Sequence, residues 1–148
     1  MVKLFSIKER YSQKIFSKEK FVEFRRQNVK VKKKEKCLIY TTYPIKKITG
    51  YFIVKEKLRL PIKKLWLKTR SYAGITKAEF MEYFRGCKEG TALIFQSVRK
   101  FINQLSLEEI KSFLREFKPP QSYYNLDEKI FNIILKKAGY KIPAILDF

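Results

Sequence analysis

The stretch that decides the fold is Ser6-Ile-Lys-Glu-Arg-Tyr11, followed after five residues by Ser17-Lys-Glu-Lys-Phe-Val-Glu-Phe-Arg-Arg26. Alternating apolar residues up to Ile7 predict a first strand, and apolar residues at helical spacing predict a short helix over 9–17. A turn and a second strand over 20–26 follow. The chain therefore begins with a strand, a short helix and a second strand.

The second strand carries the side chains that point to a site. Side chains on a strand alternate between its two faces, so Glu23 and Arg25 share one face and Arg26 lies on the other. Lys20 sits at the turn into this strand. Basic groups gathered around one carboxylate, beside a short helix, predict a recognition pocket for an anionic or polar ligand.

The rest of the chain extends this pattern into a mixed fold. Pro61 predicts a helix start with Gly74 as its C-terminal cap, and the pairs Thr76/Glu79 and Ser106/Glu109 predict capping boxes. The fold class is therefore α+β: a small mixed β-barrel of about five to six strands, with helices at its ends and a C-terminal helix. Further strands are predicted over 37–43, 47–58 and 90–101, and the last helix over 127–138.

Charge is the outlier of the composition. The chain has 148 residues, with 34 Lys and Arg against 14 Asp and Glu, which gives a net charge of +20. Residues 1–36 hold 13 Lys and Arg and four Glu, so +9 of that charge surrounds the predicted pocket. An AT-rich or thermophilic source inflates Lys, but it does not favour so large an excess of basic over acidic residues. The charge therefore indicates a polyanionic partner, with nucleic acid as the expected one.

Composition also excludes several classes of chemistry. The chain has no histidine, which removes Ser-His triads and histidine metal ligands. Its two cysteines, Cys37 and Cys87, do not form a disulfide framework and indicate a reducing compartment. No apolar run approaches the roughly 20 residues of a membrane span. We expect a cytoplasmic protein that uses no metal and no cofactor and does not enter a membrane.

The order of elements and several segments resemble the ASCH family, a branch of the PUA-like β-barrels. The family pattern Gly-x-Lys-x-x-Glu-x-Arg is similar to the run from Lys18 to Arg25, with Lys20 and Glu23 at the motif positions. The resemblance spans roughly residues 2–126 and is closest to archaeal members. Further similar segments are Ser6-Ile-Lys8, Ile48-Thr-Gly-Tyr-Phe-Ile-Val54, Tyr83-Phe-Arg-Gly-Cys-Lys-Glu-Gly90 and Lys118-Pro-Pro-Gln-Ser122.

Two departures from the family pattern stand out. The motif glycine is Lys18 here, so a turn that favours positive φ must form without glycine. The segment Tyr123-Tyr124 stands where relatives carry an Arg-Tyr pair. In the amidohydrolase branch, which acts on acetylated cytidine, the resemblance implies a threonine where Glu23 stands and an acid that Tyr72-Ala-Gly-Ile75 does not offer. These differences argue against that chemistry.

The resemblance implies RNA binding in a basic cleft between the first helix and the barrel. Arg25 is the strongest functional candidate because its guanidinium matches phosphate geometry. Glu23 either accepts from a base amino group or forms a structural ion pair, and the two roles are compatible. Tyr43 and Tyr123 are candidates for stacking on unpaired bases. The predicted nucleic-acid-binding residues are Lys8, Lys20, Glu23, Arg25, Arg26, Tyr43, Gln121, Ser122 and Tyr123.

The leading interpretation is a non-catalytic domain that prefers RNA and recognises an unpaired or modified nucleotide. The enzymatic alternative is a metal-independent ribonuclease or a modified-nucleoside hydrolase that uses Lys20 and Glu23. A second alternative is a DNA-binding, transcription-associated protein. Residues 1–126 are predicted to form the ASCH/PUA-like domain, and 127–148 a helical extension packed on it.

Overall fold

The computed structural model of the chain describes residues 2–140 and confirms the α+β class, with six strands and five helices, the last of them near the C-terminus. The elements in chain order are β1 Val2–Ile7, α1 Glu9–Phe16, β2 Val22–Arg25, β3 Lys36–Thr41, β4 Lys47–Pro61, α2 Ile62–Thr69, α3 Lys77–Tyr83, β5 Glu89–Ser106, α4 Leu107–Phe113, β6 Tyr123–Leu126 and α5 Glu128–Lys137.

The strands form a six-stranded sheet in the order β2-β5-β4-β3-β1-β6. β1 pairs with β3 in parallel and with β6 in antiparallel fashion, and β2 pairs with β5 in antiparallel fashion. β6 is a strand that the sequence pattern did not single out, because it is four residues long and follows the Pro119-Pro120 break. β6 pairs with β1, whose residues lie more than 100 positions earlier in the chain.

The chain divides into two compact units. Among the described residues, unit 1 comprises 2–12, 36–52 and 99–140, and unit 2 comprises 13–35 and 53–98. β4 and β5 are long strands that contribute residues to both units.

Unit 1 has its own apolar core. It joins residues of β1, β3 and α5, among them Leu4, Leu38 and Ile134, all fully buried. A buried row of hydroxyls runs beside it: Thr41 Oγ1 lies 2.8 Å from Thr49 Oγ1 and donates to Ser12 Oγ at 3.1 Å. Because these polar atoms satisfy each other, they are buried without an unpaired donor.

Unit 2 is built around an aromatic cluster. Phe24 of β2 meets Phe80 of α3 edge-on, with ring centroids 5.1 Å apart, and Phe84 edge-on at 5.9 Å. Leu65 of α2 and Val22 complete the buried set. One face of β2 therefore packs on two helices, which fixes the direction in which the opposite face points.

The helix starts follow the sequence signals closely, and one helix end does not. The capping boxes at Thr76/Glu79 and Ser106/Glu109 are both present. The helix after Pro61 ends at Thr69 with Arg70 as its C-cap, so Gly74 is not the cap that the sequence predicted. Gly74 has a φ of +68° and lies in the segment between α2 and α3.

Two further expectations concern the whole chain. The domain boundary at residue 126 stays a prediction, and part of the proposed extension, residues 141–148, lies outside the described residues. Within residues 2–140, no helix has the length and apolar character needed to cross a membrane.

Candidate functional site

β2 places Glu23 and Arg25 side by side on one face of the sheet, as the strand alternation predicts. Arg25 Nε donates to Glu23 Oε2 at 2.9 Å, and Arg25 NH2 lies 2.8 Å from the same oxygen. The two side chains are only 11% and 7% exposed. Two nitrogens of the Arg25 guanidinium hold the Glu23 carboxylate. The guanidinium is therefore not turned outward to bind a phosphate.

Lys20 lies at the turn before β2 and is 2% exposed. Its Nζ donates to the carbonyl oxygen of Ala73 at 3.2 Å and lies 4.5 Å from the centre of the Phe24 ring. Burial lowers the pKa of Lys20 to about 8; the Glu23 carboxylate partly opposes this, and the nearby Lys14 ammonium adds to it. A buried lysine with a pKa near neutrality is a feature that enzymes use for proton transfer and nucleophilic attack.

The turn that carries Lys20 contains a non-glycine residue with a positive φ. Lys18 has a φ of +65°, in the left-handed region that favours glycine. The chain therefore accepts local strain at Lys18 to bring Lys20 into the core.

Lys14 is a member of this cluster that the sequence did not single out. Its Nζ donates to the Gly74 carbonyl oxygen at 2.9 Å, and its charge reaches Lys20. The only sequence signal was its place as the basic residue in the last turn of α1. Its proximity to Lys20 depends on the segment 72–75, which is distant in sequence.

Arg26 follows the last residue of β2, and its side chain is fixed by two hydrogen bonds. Its Nε donates to Cys87 Sγ at 3.3 Å and its NH2 to the Arg85 carbonyl oxygen at 3.0 Å. Arg26 is exposed, so its charge reaches solvent from a different face than that of Arg25.

The remaining predicted residues belong to unit 1. Lys8 and Gln121 are exposed, Ser122 is half-buried, and the Ser122 carbonyl oxygen accepts the Ser6 N–H at 3.0 Å. Tyr43 is 79% exposed, with Lys46 Nζ 5.6 Å from its ring centre.

Tyr123 is a weaker stacking candidate than the sequence indicated. It is half-buried, and its ring already stacks on Phe5 with centroids 5.2 Å apart. Tyr43, by contrast, presents an exposed ring. Among the predicted site residues, the structure brings Lys20, Glu23 and Arg25 together in unit 2, and each of the nine stays a prediction as a ligand contact.

An open cavity of about 690 Å³ lies elsewhere in unit 1, and none of the predicted site residues lines it. Its walls come from α4, the segment after α4, β6 and α5: Phe113, Leu114, Arg115, Glu116, Phe117, Lys118, Tyr124, Leu126 and Ile130. Within residues 2–140 there is no cluster of three or more histidine, cysteine or carboxylate side chains placed to hold a metal ion.

Comparison with known proteins gives the fold and its relatives. No protein-family model matches the chain. A curated relative, the ASCH domain-containing ribonuclease of Zymomonas mobilis, is 27% identical over 112 residues, which cover 76% of this chain and 75% of the relative. The ATP synthase subunit alpha of Ureaplasma parvum is 31% identical over 102 residues, but the match spans only 12% of that protein.

The comparison with solved structures finds an ASCH protein from the same organism as the first of these relatives. The crystal structure of ASCH from Zymomonas mobilis superposes with a TM-score of 0.84 at 23% identity, over 90% of this chain and 93% of that one. The fold is therefore that of an ASCH domain, a PUA-like architecture. The sequence similarity to the curated relative extends over three quarters of both proteins, so the chain is similar to an ASCH domain protein in sequence as well as in fold.

Proposed function

We propose that this chain binds RNA and recognises an unpaired or modified nucleotide with its basic residues. The observation that carries the proposal is the buried group in unit 2, in which Arg25 pairs with Glu23 and the buried Lys20 ammonium interacts electrostatically with Glu23, Lys14 and Glu79. Three cations, Lys14, Lys20 and Arg25, stand against the carboxylates of Glu23 and Glu79, which leaves an excess of positive charge at this part of unit 2. The net charge of +20 extends that potential over the whole chain.

Two observations favour RNA over other polyanions. The curated relative from Zymomonas mobilis carries the name ribonuclease. The exposed ring of Tyr43 offers a stacking platform for an unpaired base, a contribution of about 1–3 kcal/mol per base where it forms. Single-stranded RNA exposes its base faces for such contacts, whereas duplex DNA does not.

A binding competition tests this proposal. Fluorescence anisotropy with a labelled 12-nucleotide RNA should show tighter binding than with duplex DNA of the same length at the same salt. Tyr43→Ala should weaken RNA binding about 5- to 100-fold if one base stacks on this ring. Ile102→Ala serves as the matched control, since Ile102 is 82% exposed and should leave binding unchanged. Equal or tighter binding of duplex DNA would support the DNA-binding alternative and overturn the RNA preference.

A second candidate function is RNA cleavage, and Lys20 is the observation that favours it. Because the pKa of Lys20 is about 8, the amine is neutral in a substantial fraction of the molecules at mildly alkaline pH. This step requires the segment that carries Ala73 and Gly74 to move off Lys20, since the amine is covered in the structure. The exposed, neutral Lys20 amine would then take the proton from a ribose 2′-hydroxyl, the 2′-oxygen would attack phosphorus, and the 5′-oxygen would leave with a proton from water. The products are a 2′,3′-cyclic phosphate and a 5′-hydroxyl, and no metal ion or cofactor enters the step.

One substitution in the protein and one modified RNA substrate distinguish RNA cleavage from RNA binding alone. Lys20→Met should abolish cleavage of end-labelled RNA, in buffer with chelator, while the variant still binds RNA. An RNA with a single 2′-deoxyribose at the cut site should resist cleavage at that position. Cleavage that persists in Lys20→Met, or that occurs at the deoxyribose, would remove Lys20 from the chemistry and leave RNA binding as the function.

A further inference from the structure

The part of β4 that belongs to unit 2 carries a row of cations on one face. Lys55, Lys57 and Arg59 alternate with residues of the opposite face, because side chains on a strand repeat every two positions. Leu58 and Leu60 pack against the aromatic core of unit 2 and so define the inner face. The three cations therefore point away from that core.

Two of these cations are held in place without being neutralised. Lys57 Nζ donates to Asn28 Oδ1 at 2.6 Å, and Arg59 NH1 donates to the Arg26 carbonyl oxygen and to Thr91 Oγ1, each at 2.9 Å. All three acceptors are uncharged oxygens. Burial and the neighbouring Arg59 charge lower the pKa of Lys57, which is the effect expected where positive charges crowd together.

The loop before β3 adds more positive charge beside this row. Lys34 N–H donates to the Val54 carbonyl oxygen at 2.7 Å, and Val54 N–H donates to the Glu35 carbonyl oxygen at 3.0 Å, so the loop lies along β4. Lys30, Lys32, Lys33 and Lys34 are all exposed.

Few acids face this surface. Glu35 is half-buried, and its carboxylate accepts the backbone N–H of Lys32 at 3.0 Å. Glu56 lies on the face of β4 that Leu58 and Leu60 define, with its charge acting on Tyr72. Glu89 lies two residues before Thr91 on β5, is exposed and shares the face of Thr91. The seven cations of the row and the loop therefore still outnumber the acids Glu35 and Glu89.

The row begins beside the Glu23–Arg25 pair. Thr91 of β5 is the register partner of Arg25 on β2, and the Thr91 hydroxyl is the acceptor of Arg59. Residues directly opposite each other in a sheet share a face. Arg25, Thr91 and Arg59 thus lie in line across three strands, and the row continues down β4 to Lys57 and Lys55.

We propose that Arg59, Lys57 and Lys55, with the lysines at 30–34, form a track that binds the backbone of single-stranded RNA leading away from the Glu23–Arg25 pair. Cations two residues apart on a strand recur every roughly 6.6–6.8 Å, and the phosphates of an extended single strand recur at a comparable interval. RNA is the occupant because the row begins beside the Glu23–Arg25 pair on which the proposed RNA function rests. The track rests on the proposed RNA function and names the contacts that supply its affinity.

The salt dependence of binding tests the track. The affinity of full-length protein for a 12-nucleotide oligouridylate is measured from 0.05 to 0.2 M KCl for wild type, for Lys55→Gln/Lys57→Gln, and for Lys32→Gln/Lys33→Gln. Losing two phosphate contacts should lower the salt slope by about 1.4, since each contact to a single strand contributes about 0.7, and should weaken binding about 25-fold at 0.1 M KCl. Lys136→Gln/Lys137→Gln, which removes the same charge from exposed positions on α5, is the matched control and should leave the slope unchanged.

The possible results distinguish a failure of the proposed track from a failure of the proposed RNA binding. If wild type binds no RNA, the proposed function fails and the track fails with it. If wild type binds RNA but both track variants match the control pair, only the track is overturned, because charge alone then governs affinity. If the track variants lose binding to polyglutamate but keep their RNA affinity, the surface serves an acidic protein and the RNA track is likewise overturned.

Discussion

Gly74 packs directly on Lys20. A Cβ added at Gly74 would come within 2.5 Å of Lys20 Cβ and 2.9 Å of the Glu19 carbonyl oxygen, closer than real atoms approach. The adjoining Ala73 supplies the carbonyl oxygen that accepts from Lys20 Nζ. The segment around Gly74 therefore both covers the Lys20 side chain and provides its hydrogen-bond partner.

Gly74→Ala should destabilise the protein by about 3 kcal/mol, from the positive φ of +68° together with the contact on Lys20. Gly86→Ala is the matched control, because Gly86 has a φ of +84° but no atom within 4 Å of the added Cβ. Its loss should be about 1 kcal/mol, which reports the backbone conformation alone. Urea unfolding measures both, and equal losses would show that the Lys20 contact is easily relieved.

Lys20→Met should stabilise the fold at pH 7, because the buried ammonium is removed. The lowered pKa of about 8 corresponds to about 3 kcal/mol of unfavourable burial, and the lost bond to Ala73 offsets part of it. We expect a net gain of about 1–2 kcal/mol.

The pH dependence of that gain has a definite sign. Between pH 8 and about 10.5 the unfolded wild type binds more protons at Lys20 than the folded protein, so wild-type stability rises with pH in this window. The advantage of Lys20→Met should therefore shrink as pH increases from 8 to 10. Raised tyrosine pKa values, such as that of Tyr51, act equally on both proteins and cancel in the difference. A gain that stays constant with pH would contradict the lowered pKa.

Glu23→Gln should destabilise the fold by about 3 kcal/mol, because Arg25 would keep a buried charge without its carboxylate. Glu82→Gln is the control on a surface pair: the Arg85 and Glu82 side chains are 78% and 64% exposed, and the expected change is below about 0.5 kcal/mol. Chemical denaturation at pH 7 compares the two. A small loss in Glu23→Gln would mean that water or another group compensates Arg25.

Lys18→Gly should stabilise the fold by about 0.5–1 kcal/mol, because Lys18 has a φ of +65° and glycine adopts this conformation without strain. The melting temperature should rise by about 2–4 °C. Lys33→Gly removes the same charge from an exposed position whose φ is not positive, and it should give no gain. Stabilisation by both substitutions would point to relief of charge repulsion instead.

Much of the fold is readable from local signals. Strand alternation placed Glu23 and Arg25 together and Arg26 apart, and the two capping boxes marked the starts of α3 and α4. These features depend on neighbours within a few residues, which is why single-sequence patterns capture them. The end of α2 was missed because Gly74 resembles a cap in sequence, although its conformation serves the packing of Lys20.

The sequence by itself determined the element order apart from β6, the excess of positive charge and the face that Glu23 and Arg25 share, since periodicity and composition are local properties. Only the tertiary structure decided that Lys20 is buried under Gly74 and that Arg59 meets Thr91 in line with Arg25. Those contacts join residues 32 to 66 positions apart. Their existence depends on how the strands pair and the helices pack, which no local pattern encodes.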